Sequence, residues 1–319
     1  MNGVEWTERP ERGSEWLMYL MLRVTNWVGR PSARLLLWPI AAFFWLRTPV
    51  ARADSARYLA RILGRPVGWR DTYRHYRTFA ATILDRVFFL SGREDEFDIQ
   101  IVGEEHLLKS LQGKTGVILV GAHMGSVESL RAIGPRQAGR RVTMAMFEKN
   151  AQQIGRFLRA IDPSLQDDIV ALDRPGAIMV LHERLMRGDM VGLLADRSFG
   201  PETTIPVPFL GTEAPFPSGS FRMASVMRCP VVMMAGLYLG GNRYQLHFVP
   251  VADFSNVGRG PERQVAVTAA VQAFAVTLER FCRLAPYNWF NFYDFWKTHD
   301  ESVLTAPGSQ KPGETVSSL

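Results

Sequence analysis

From Phe97 onward, short runs of aliphatic and β-branched residues alternate with longer runs in which apolar residues recur every three or four positions. The short runs at residues 117–121 and 191–195 are apolar on successive residues, which is typical of strands buried on both faces. The longer runs have the period of amphipathic helices. The alternation predicts an α/β fold with a mostly parallel central sheet covered by helices.

The boundaries of the predicted elements follow from this pattern and from Gly and Pro punctuation. Strands are predicted at residues 97–102, 116–122, 142–146, 169–172, 190–195, 231–237 and 244–250, and helices at 104–112, 126–136, 151–161, 175–187, 218–227 and 262–284. The first third reads as all-helical, with a helical pair over 15–46 and helices at 49–64 and 69–90. We therefore predict a helical membrane-associating region at 1–92, an α/β domain at 93–300 and a disordered tail at 301–319.

Two apolar runs lie in the predicted N-terminal pair, at residues 16–22 and 35–46. Each is shorter than the roughly 20 residues that a helix needs to cross a bilayer, and Arg30 and Pro31 separate them. Their tryptophans favour a membrane–water boundary. The pattern predicts helices that lie in one leaflet. A buried helical hairpin of a soluble core is the alternative, whereas a spanning helix or a cleaved signal peptide is disfavoured.

The charge distribution favours a membrane surface over nucleic acid. The chain carries a net charge of +6, but residues 15–90 hold twelve arginines and four acids, a net +8, so the rest sums to −2. A basic block attracts either nucleic acid or anionic lipid. Because Trp- and Leu-rich runs separate these arginines, we expect no nucleic-acid partner. The two cysteines, Cys229 and Cys282, indicate a reducing compartment rather than a disulfide framework.

Candidate chemistry appears first at residues 120–128, Val-Gly-Ala-His-Met-Gly-Ser-Val-Glu. His123 follows a predicted buried strand and Glu128 lies in the first turn of the next helix. Gly121 and Gly125 allow the loop to fold back, so that Glu128 can fix the tautomer of the imidazole and leave it to act as a base. The alternative is a histidine that ends a strand and a glutamate that favours a helix N-terminus.

A second junction, Leu193-Leu-Ala-Asp-Arg, puts Asp196 and Arg197 after another buried strand, where they can face the same crevice. Arg197 is a candidate clamp for a phosphate or carboxylate, or one half of a structural ion pair. A proline-rich loop over 206–217 then enters a helix at Ser218, Gly219 and Ser220, whose free N–H groups are a candidate anion site. These five residues are the predicted substrate-binding set.

The His-x4-Glu box, the later Asp-containing box ending in Gly200, and the Pro-Phe-Pro-Ser-Gly loop together resemble the bacterial lipid A biosynthesis acyltransferase family, within the glycerolipid acyltransferase group. The resemblance extends from Trp16 to Lys297. It implies His123 as base with Glu128 as partner, an acyl-carrier-protein or coenzyme A thioester as donor, no metal and no further cofactor. It also implies transfer to a lipid at the cytoplasmic face of the inner membrane.

Two departures bear on the acceptor. Glycerolipid members have Glu where this chain has Ser218, which argues against glycerol 3-phosphate. In the aromatic segment 286–296, Asn288, Asn291 and Asp294 separate the aromatics, whereas lipid A enzymes tend to end in a basic-aromatic segment. The composition is closer to relatives that act on other glycolipids or on polyene lipids.

The predicted activity is therefore a membrane-associated O-acyltransferase without an acyl-enzyme intermediate, since neither cysteine and no Gly-x-Ser-x-Gly elbow offers a nucleophile. Backbone N–H groups near Gly125 are candidates for holding the oxyanion. Candidates for the lining of an acyl slot are Phe209, Phe216, Phe221, Met223 and the aromatic run 287–296. The alternatives are a non-catalytic module that binds anionic lipid and a thioester or ester hydrolase.

Overall fold

The computed structural model describes residues 14–129, 140–146, 169–197 and 203–296, with side chains from residue 29 onward. Within them, the predicted α/β class is confirmed: a mostly parallel seven-stranded sheet is covered by helices. The predicted helix at 151–161 and the predicted tail at 301–319 lie outside the described residues. The predicted three-part division of the chain stays a prediction.

Three helices precede the sheet: α1 (Ser14–Arg47), α2 (Pro49–Leu63) and α3 (Trp69–Leu90). Gly29, with non-helical φ and ψ of +73° and 169°, divides α1 into two helices, which agrees with the pair predicted over 15–46. A kink there suits glycine, which adopts positive φ without steric cost, and Pro31 follows it. The bounds of α3 agree with the prediction, and those of α2 agree within one residue.

This helical layer packs directly on the sheet. Leu37 of α1 and Phe88 of α3 share an apolar cluster with Tyr244, which lies in the last strand. Beside it, the guanidinium of Arg30 makes two 2.8 Å hydrogen bonds to the carboxylate of Asp85, which also accepts a 2.9 Å bond from the Tyr244 hydroxyl. Buried charges need such partners, so these contacts fix where α1 and α3 dock.

The sheet contains β1 (Asp98–Val102), β2 (Val117–Gly121), β3 (Val142–Met146), β4 (Ile169–Ala171), β5 (Met190–Leu194), β8 (Pro230–Gly240) and β9 (Arg243–Asp253). Their order is β1-β9-β8-β2-β5-β3-β4, and every pair is parallel except β8–β9. The covering helices are α4 (Glu104–Leu111), α5 (Ala177–Met186), α6 (Gly219–Met227) and α7 (Pro261–Leu284). Residues 127–129 are helical as well. β2 and β5 are neighbours near the middle, so their carboxyl ends meet at one edge.

The proline-rich stretch predicted as a loop is instead a β-hairpin of β6 (Thr204–Phe209) and β7 (Thr212–Pro217). The turn residues Leu210 and Gly211 both have positive φ, at 50° and 87°, as a two-residue hairpin turn requires. Prolines are tolerated here because each strand of a two-stranded ribbon has an edge without a pairing partner. Phe209 and Phe216 point into the core and fix the register.

Helix α7 is long and apolar enough to cross a membrane, as judged by length and composition alone. It lies against the sheet and the hairpin, and Val271, Phe274 and Leu278 are fully buried in the main core. Core helices of globular proteins pass the same test of length and composition. The packing of α7 therefore accounts for its apolar character.

Candidate active site

His123 and Asp196 come together at the carboxyl edge of the sheet. His123 lies two residues after β2, and Asp196 two residues after β5. The two strands pair in parallel up to Gly121 and Leu194, so both chains leave the sheet side by side. This is the edge at which open α/β sheets gather reactive groups.

The two side chains form a hydrogen-bonded dyad. Nδ1 of His123 lies 2.8 Å from Oδ1 of Asp196, and the backbone N–H of His123 donates to Oδ2 at 3.0 Å. The indole Nε1–H of Trp289 donates to the same Oδ2 at 2.9 Å. The Asp196 side chain is fully buried, whereas 26% of the His123 side chain is exposed. The imidazole is thus accessible and the carboxylate is enclosed.

The charge of Asp196 is stabilised despite its burial. Burial raises the pKa of this carboxyl, but the opposing effects of His123, Arg197 and the Trp289 indole are larger, and they hold the pKa below its usual value. An ionised Asp196 accepts hydrogen bonds only, so Nδ1 of His123 carries the proton. Nε2 is then the nitrogen that can exchange a proton with a substrate.

Glu128 occupies a different place from the one predicted. Its Oε1 forms an ion pair with Nε of Arg86, on α3, at 2.8 Å. The acid that we find at Nδ1 of His123 is Asp196, which we predicted as a substrate-binding residue. The reason is topological: Glu128 lies in the helix after the loop, whereas the neighbouring parallel strand delivers Asp196 to the base of the loop. A catalytic role for Glu128 stays a prediction.

The loop that carries His123 is fixed by backbone hydrogen bonds. The N–H of Gly125 donates to the Asn288 carbonyl at 2.9 Å, and the N–H of Ser126 donates to the Gly236 carbonyl at 2.9 Å. Gly125 has a φ of +58°, and a Cβ there would lie 1.8 Å from the Gly236 oxygen. Only glycine fits this position. Since both N–H groups are engaged, the predicted oxyanion role for this part of the backbone is not supported.

The aromatic segment 286–296 supports this loop, a role that the sequence reasoning missed. Trp289 pairs with Met124 in an isolated antiparallel bridge. The side-chain amide of Asn288 accepts from the N–H of Tyr238 at 2.7 Å and donates to its carbonyl at 3.0 Å. The sequence feature that could have indicated this role is Asn288, because a polar residue inside an apolar run is buried only when it is hydrogen-bonded.

Several predicted acyl-slot residues belong to the core instead. Phe209, Phe216 and Phe221 are fully buried, and the Phe209 ring packs on that of Trp289 with centroids 5.3 Å apart. Met223 is half-buried against the same core. These aromatic side chains pack the hairpin against the aromatic segment 286–296, and they are not open to a ligand in this structure.

The other predicted substrate-binding residues lie in two places, Arg197 against the aromatic segment and Ser218, Gly219 and Ser220 at the start of α6. Arg197 donates from Nη2 to the Phe290 carbonyl at 2.7 Å and lies over the Tyr293 ring. Ser218 is buried and its hydroxyl donates to the Thr203 carbonyl at 2.7 Å, while Gly219 and Ser220 are half-buried at the start of α6. Substrate binding by these residues stays a prediction.

Neither cysteine is placed for nucleophilic catalysis. Both are buried, and burial raises the pKa of the Cys229 thiol to about 12 and that of Cys282 still further above its usual value. A thiol is not the nucleophilic form. Across the described ranges, no group of three or more His, Cys, Asp or Glu side chains could hold a metal ion.

A second histidine, His75 of α3, is fully buried behind Trp289. Its Nδ1 lies 2.8 Å from the Ser55 hydroxyl and its Nε2 lies 2.9 Å from the Trp289 carbonyl. Burial lowers its pKa from 6.5 to about 4, although the bond to the carbonyl opposes this shift. His75 is therefore neutral near pH 7.

This depressed pKa predicts acid lability that originates at His75. The unfolded chain binds the proton more tightly, so the contribution is fully present above pH 6.5 and is lost as the pH falls towards 4. The difference between a pKa of 6.5 and one of about 4 corresponds to about 3 kcal/mol. We expect the difference in unfolding free energy between wild type and His75→Gln, measured with urea, to shrink by that amount between pH 7 and pH 4. A difference in unfolding free energy that stays constant between pH 7 and pH 4 would contradict this assignment.

One comparison with known proteins identifies a family. A family model described as bacterial lipid A biosynthesis acyltransferase matches residues 5–298, which includes both junctions, the hairpin and the aromatic segment. No curated protein gives a significant match to the chain.

Proposed function

Because the chain belongs to the bacterial lipid A biosynthesis acyltransferase family, we propose that His123 is the general base for transfer of a fatty acyl group to a hydroxyl of a lipid or glycolipid. The observation that carries the proposal is the 2.8 Å bond between Nδ1 of His123 and the buried Asp196 carboxylate. It combines an accessible imidazole with a fixed tautomer and a counter-charge, as base catalysis requires.

In the proposed reaction, Nε2 of His123 takes the proton of the acceptor hydroxyl while its oxygen attacks the thioester carbonyl carbon. A new C–O ester bond forms and the C–S bond breaks. The proton then passes from the imidazolium to the leaving thiolate. Asp196 stabilises the imidazolium, and the donor is an acyl-carrier-protein or coenzyme A thioester. No further cofactor enters this scheme.

A transfer assay separates this reaction from hydrolysis. The purified protein is incubated with a radiolabelled fatty acyl thioester, on carrier protein or on coenzyme A, with and without a lipid extract of the host membrane. We expect label in a lipid only when the extract is present, with little free fatty acid. Free fatty acid released at the same rate without the extract would instead assign a hydrolase.

We also propose that α1 rests on the cytoplasmic face of the inner membrane. Leu35, Trp38, Phe43 and Leu46 are half or more exposed, and their spacing places them along one side of the helix. Arginine side chains lie over two of the exposed rings: Arg77 over Trp38 at 4.3 Å and Arg47 over Phe43 at 5.3 Å. Apolar residues edged by arginines suit the surface of an anionic bilayer.

Vesicle sedimentation tests this docking. Each leucine that leaves water contributes about 1.5–3 kcal/mol, so Leu35→Ser with Leu46→Ser should weaken binding to phosphatidylglycerol-containing vesicles at least tenfold. A control that replaces Val226 and Val276, which are 64% and 68% exposed on α6 and α7, should bind like wild type. Equal loss in both variants, or binding unaffected by 0.5 M salt, would contradict the proposed surface.

A further inference from the structure

The N-terminal helical layer makes a hydrogen-bonded connection to the catalytic dyad through the peptide group between Trp289 and Phe290. The carbonyl of this peptide accepts the 2.9 Å hydrogen bond from Nε2 of His75, on α3. Its N–H donates to the backbone carbonyl of His123 at 2.8 Å. The two ends of one rigid plane thus contact His75 on one side and the residue that carries the base on the other.

Trp289 also contacts the dyad through its side chain. The indole N–H donates to Oδ2 of Asp196 at 2.9 Å. A shift of the Trp289 backbone would therefore disturb two contacts at once, the carbonyl of His123 and the carboxylate of Asp196. The position of this backbone decides how the dyad is oriented.

The hydrogen bonds of His75 define its tautomer. A carbonyl oxygen accepts only, so Nε2 of His75 is the donor. In the neutral ring Nδ1 is then the acceptor, and it receives the hydroxyl hydrogen of Ser55, on α2. The ring is stacked on Phe292, with centroids 4.6 Å apart, and it lies near Tyr58. Residues from α2 and from the aromatic segment 286–296 thus hold this α3 imidazole in one orientation.

We propose that His75 is a positioning residue for the acyl transfer, which acts through the Trp289–Phe290 peptide on the orientation of His123 and Asp196. The proposal rests on the proposed function for its kinetic consequence, whereas the effect on the dyad can be measured without turnover. It also makes α2 and α3 part of the active-site support. A histidine that only fills the core would not transmit its hydrogen bonding to His123.

The first test is NMR of the full-length protein with ¹⁵N-labelled histidine. Wild type should show a downfield proton on Nδ1 of His123, assigned by its loss in His123→Gln. We expect His75→Phe, which keeps a ring against Phe292, to shift or broaden that signal. His75→Gln can donate to the Trp289 carbonyl and accept from Ser55, so it should retain the signal. An unchanged signal in a folded His75→Phe variant would overturn the proposal.

The second test is kinetic, with the labelled acyl thioester and the host lipid extract. Small misplacement of a reacting group costs up to about 100-fold, so kcat should fall about 10- to 100-fold in His75→Phe with KM unchanged. His75→Gln should stay within about threefold of wild type. His182→Gln, on the exposed side of α5, is the matched control. Equal losses in the Phe and Gln variants, with both folded, would show that the hydrogen bonds of His75 do not matter.

A third variant keeps the proposal testable if His75→Phe does not fold. Ser55→Ala removes only the hydroxyl that bonds to Nδ1 of His75, so the ring is less firmly oriented and the His123 signal should shift part of the way. A Ser55→Ala spectrum identical to wild type would then overturn the proposal. If wild type shows no transfer at all, the proposed function fails, and the NMR comparison still decides whether His75 positions the dyad.

Discussion

Replacing His123 by glutamine is expected to lower kcat for acyl transfer by about 10²- to 10⁴-fold, the usual contribution of a general base. Glutamine can still hydrogen-bond to Asp196, but it cannot accept the proton of the attacking hydroxyl. Because the histidine side chain is partly exposed and sits in a loop, the thermal unfolding midpoint should change little. The measurement is single-turnover transfer of label from the acyl thioester into lipid, with His182→Gln as the matched substitution.

A folded His123→Gln variant that keeps half or more of the wild-type rate would remove His123 from the chemistry. The non-catalytic lipid-binding alternative predicts no transfer of label by either wild type or the variant, since it needs the arginine-rich helices and not the imidazole. Vesicle binding should be the same in the variant and in wild type under either account. Turnover is therefore the measurement that separates the two.

The second large effect is expected at Asp196. Asp196→Asn removes the counter-charge of the imidazolium and can place an amide N–H against Nδ1, which favours the wrong tautomer. We expect kcat to fall about 10³- to 10⁴-fold, with KM for the donor within a few fold of wild type. Glu128→Gln, which breaks the ion pair with Arg86, should cost less than about tenfold.

The comparison of these two variants decides which acid assists His123. If Glu128→Gln loses more activity than Asp196→Asn, and both are folded, the partner is Glu128 and the His-x4-Glu box acts as its resemblance implies. Equal losses would indicate that both carboxylates act as one unit. A double variant that is no slower than either single variant would confirm such coupling.

The fold was largely predictable because its signals are local. Strands buried on both faces, such as β2 and β5, carry apolar residues at successive positions, and α3 shows an unbroken helical period. The hairpin β6–β7 was missed because its prolines are normally breakers. They are tolerated here by a two-stranded ribbon, which is a tertiary fact that no short window contains.

The site was predictable in its parts but not in its pairings. The rule that reactive groups follow strand ends selected both His123 and Asp196. Their bond spans 73 positions of sequence and depends on β2 and β5 being neighbours, which spacing alone cannot show. Trp289 lies in a third segment that contacts the dyad, the aromatic segment 286–296. Its aromatic character led to the prediction that it lines the acyl slot. Its indole N–H donates to Asp196 and its carbonyl accepts from His75, and aromatic composition does not distinguish such a supporting role from a pocket lining.

The most direct test of the central claim is mass spectrometry of the lipids of host cells that carry wild type, His123→Ala or no copy of the gene. The account predicts that one lipid lacks a single acyl group in both the deletion and the variant, and the missing mass identifies the acyl chain. If the lipids of the His123→Ala cells match wild type while those of the deletion differ, acyl transfer by His123 is contradicted.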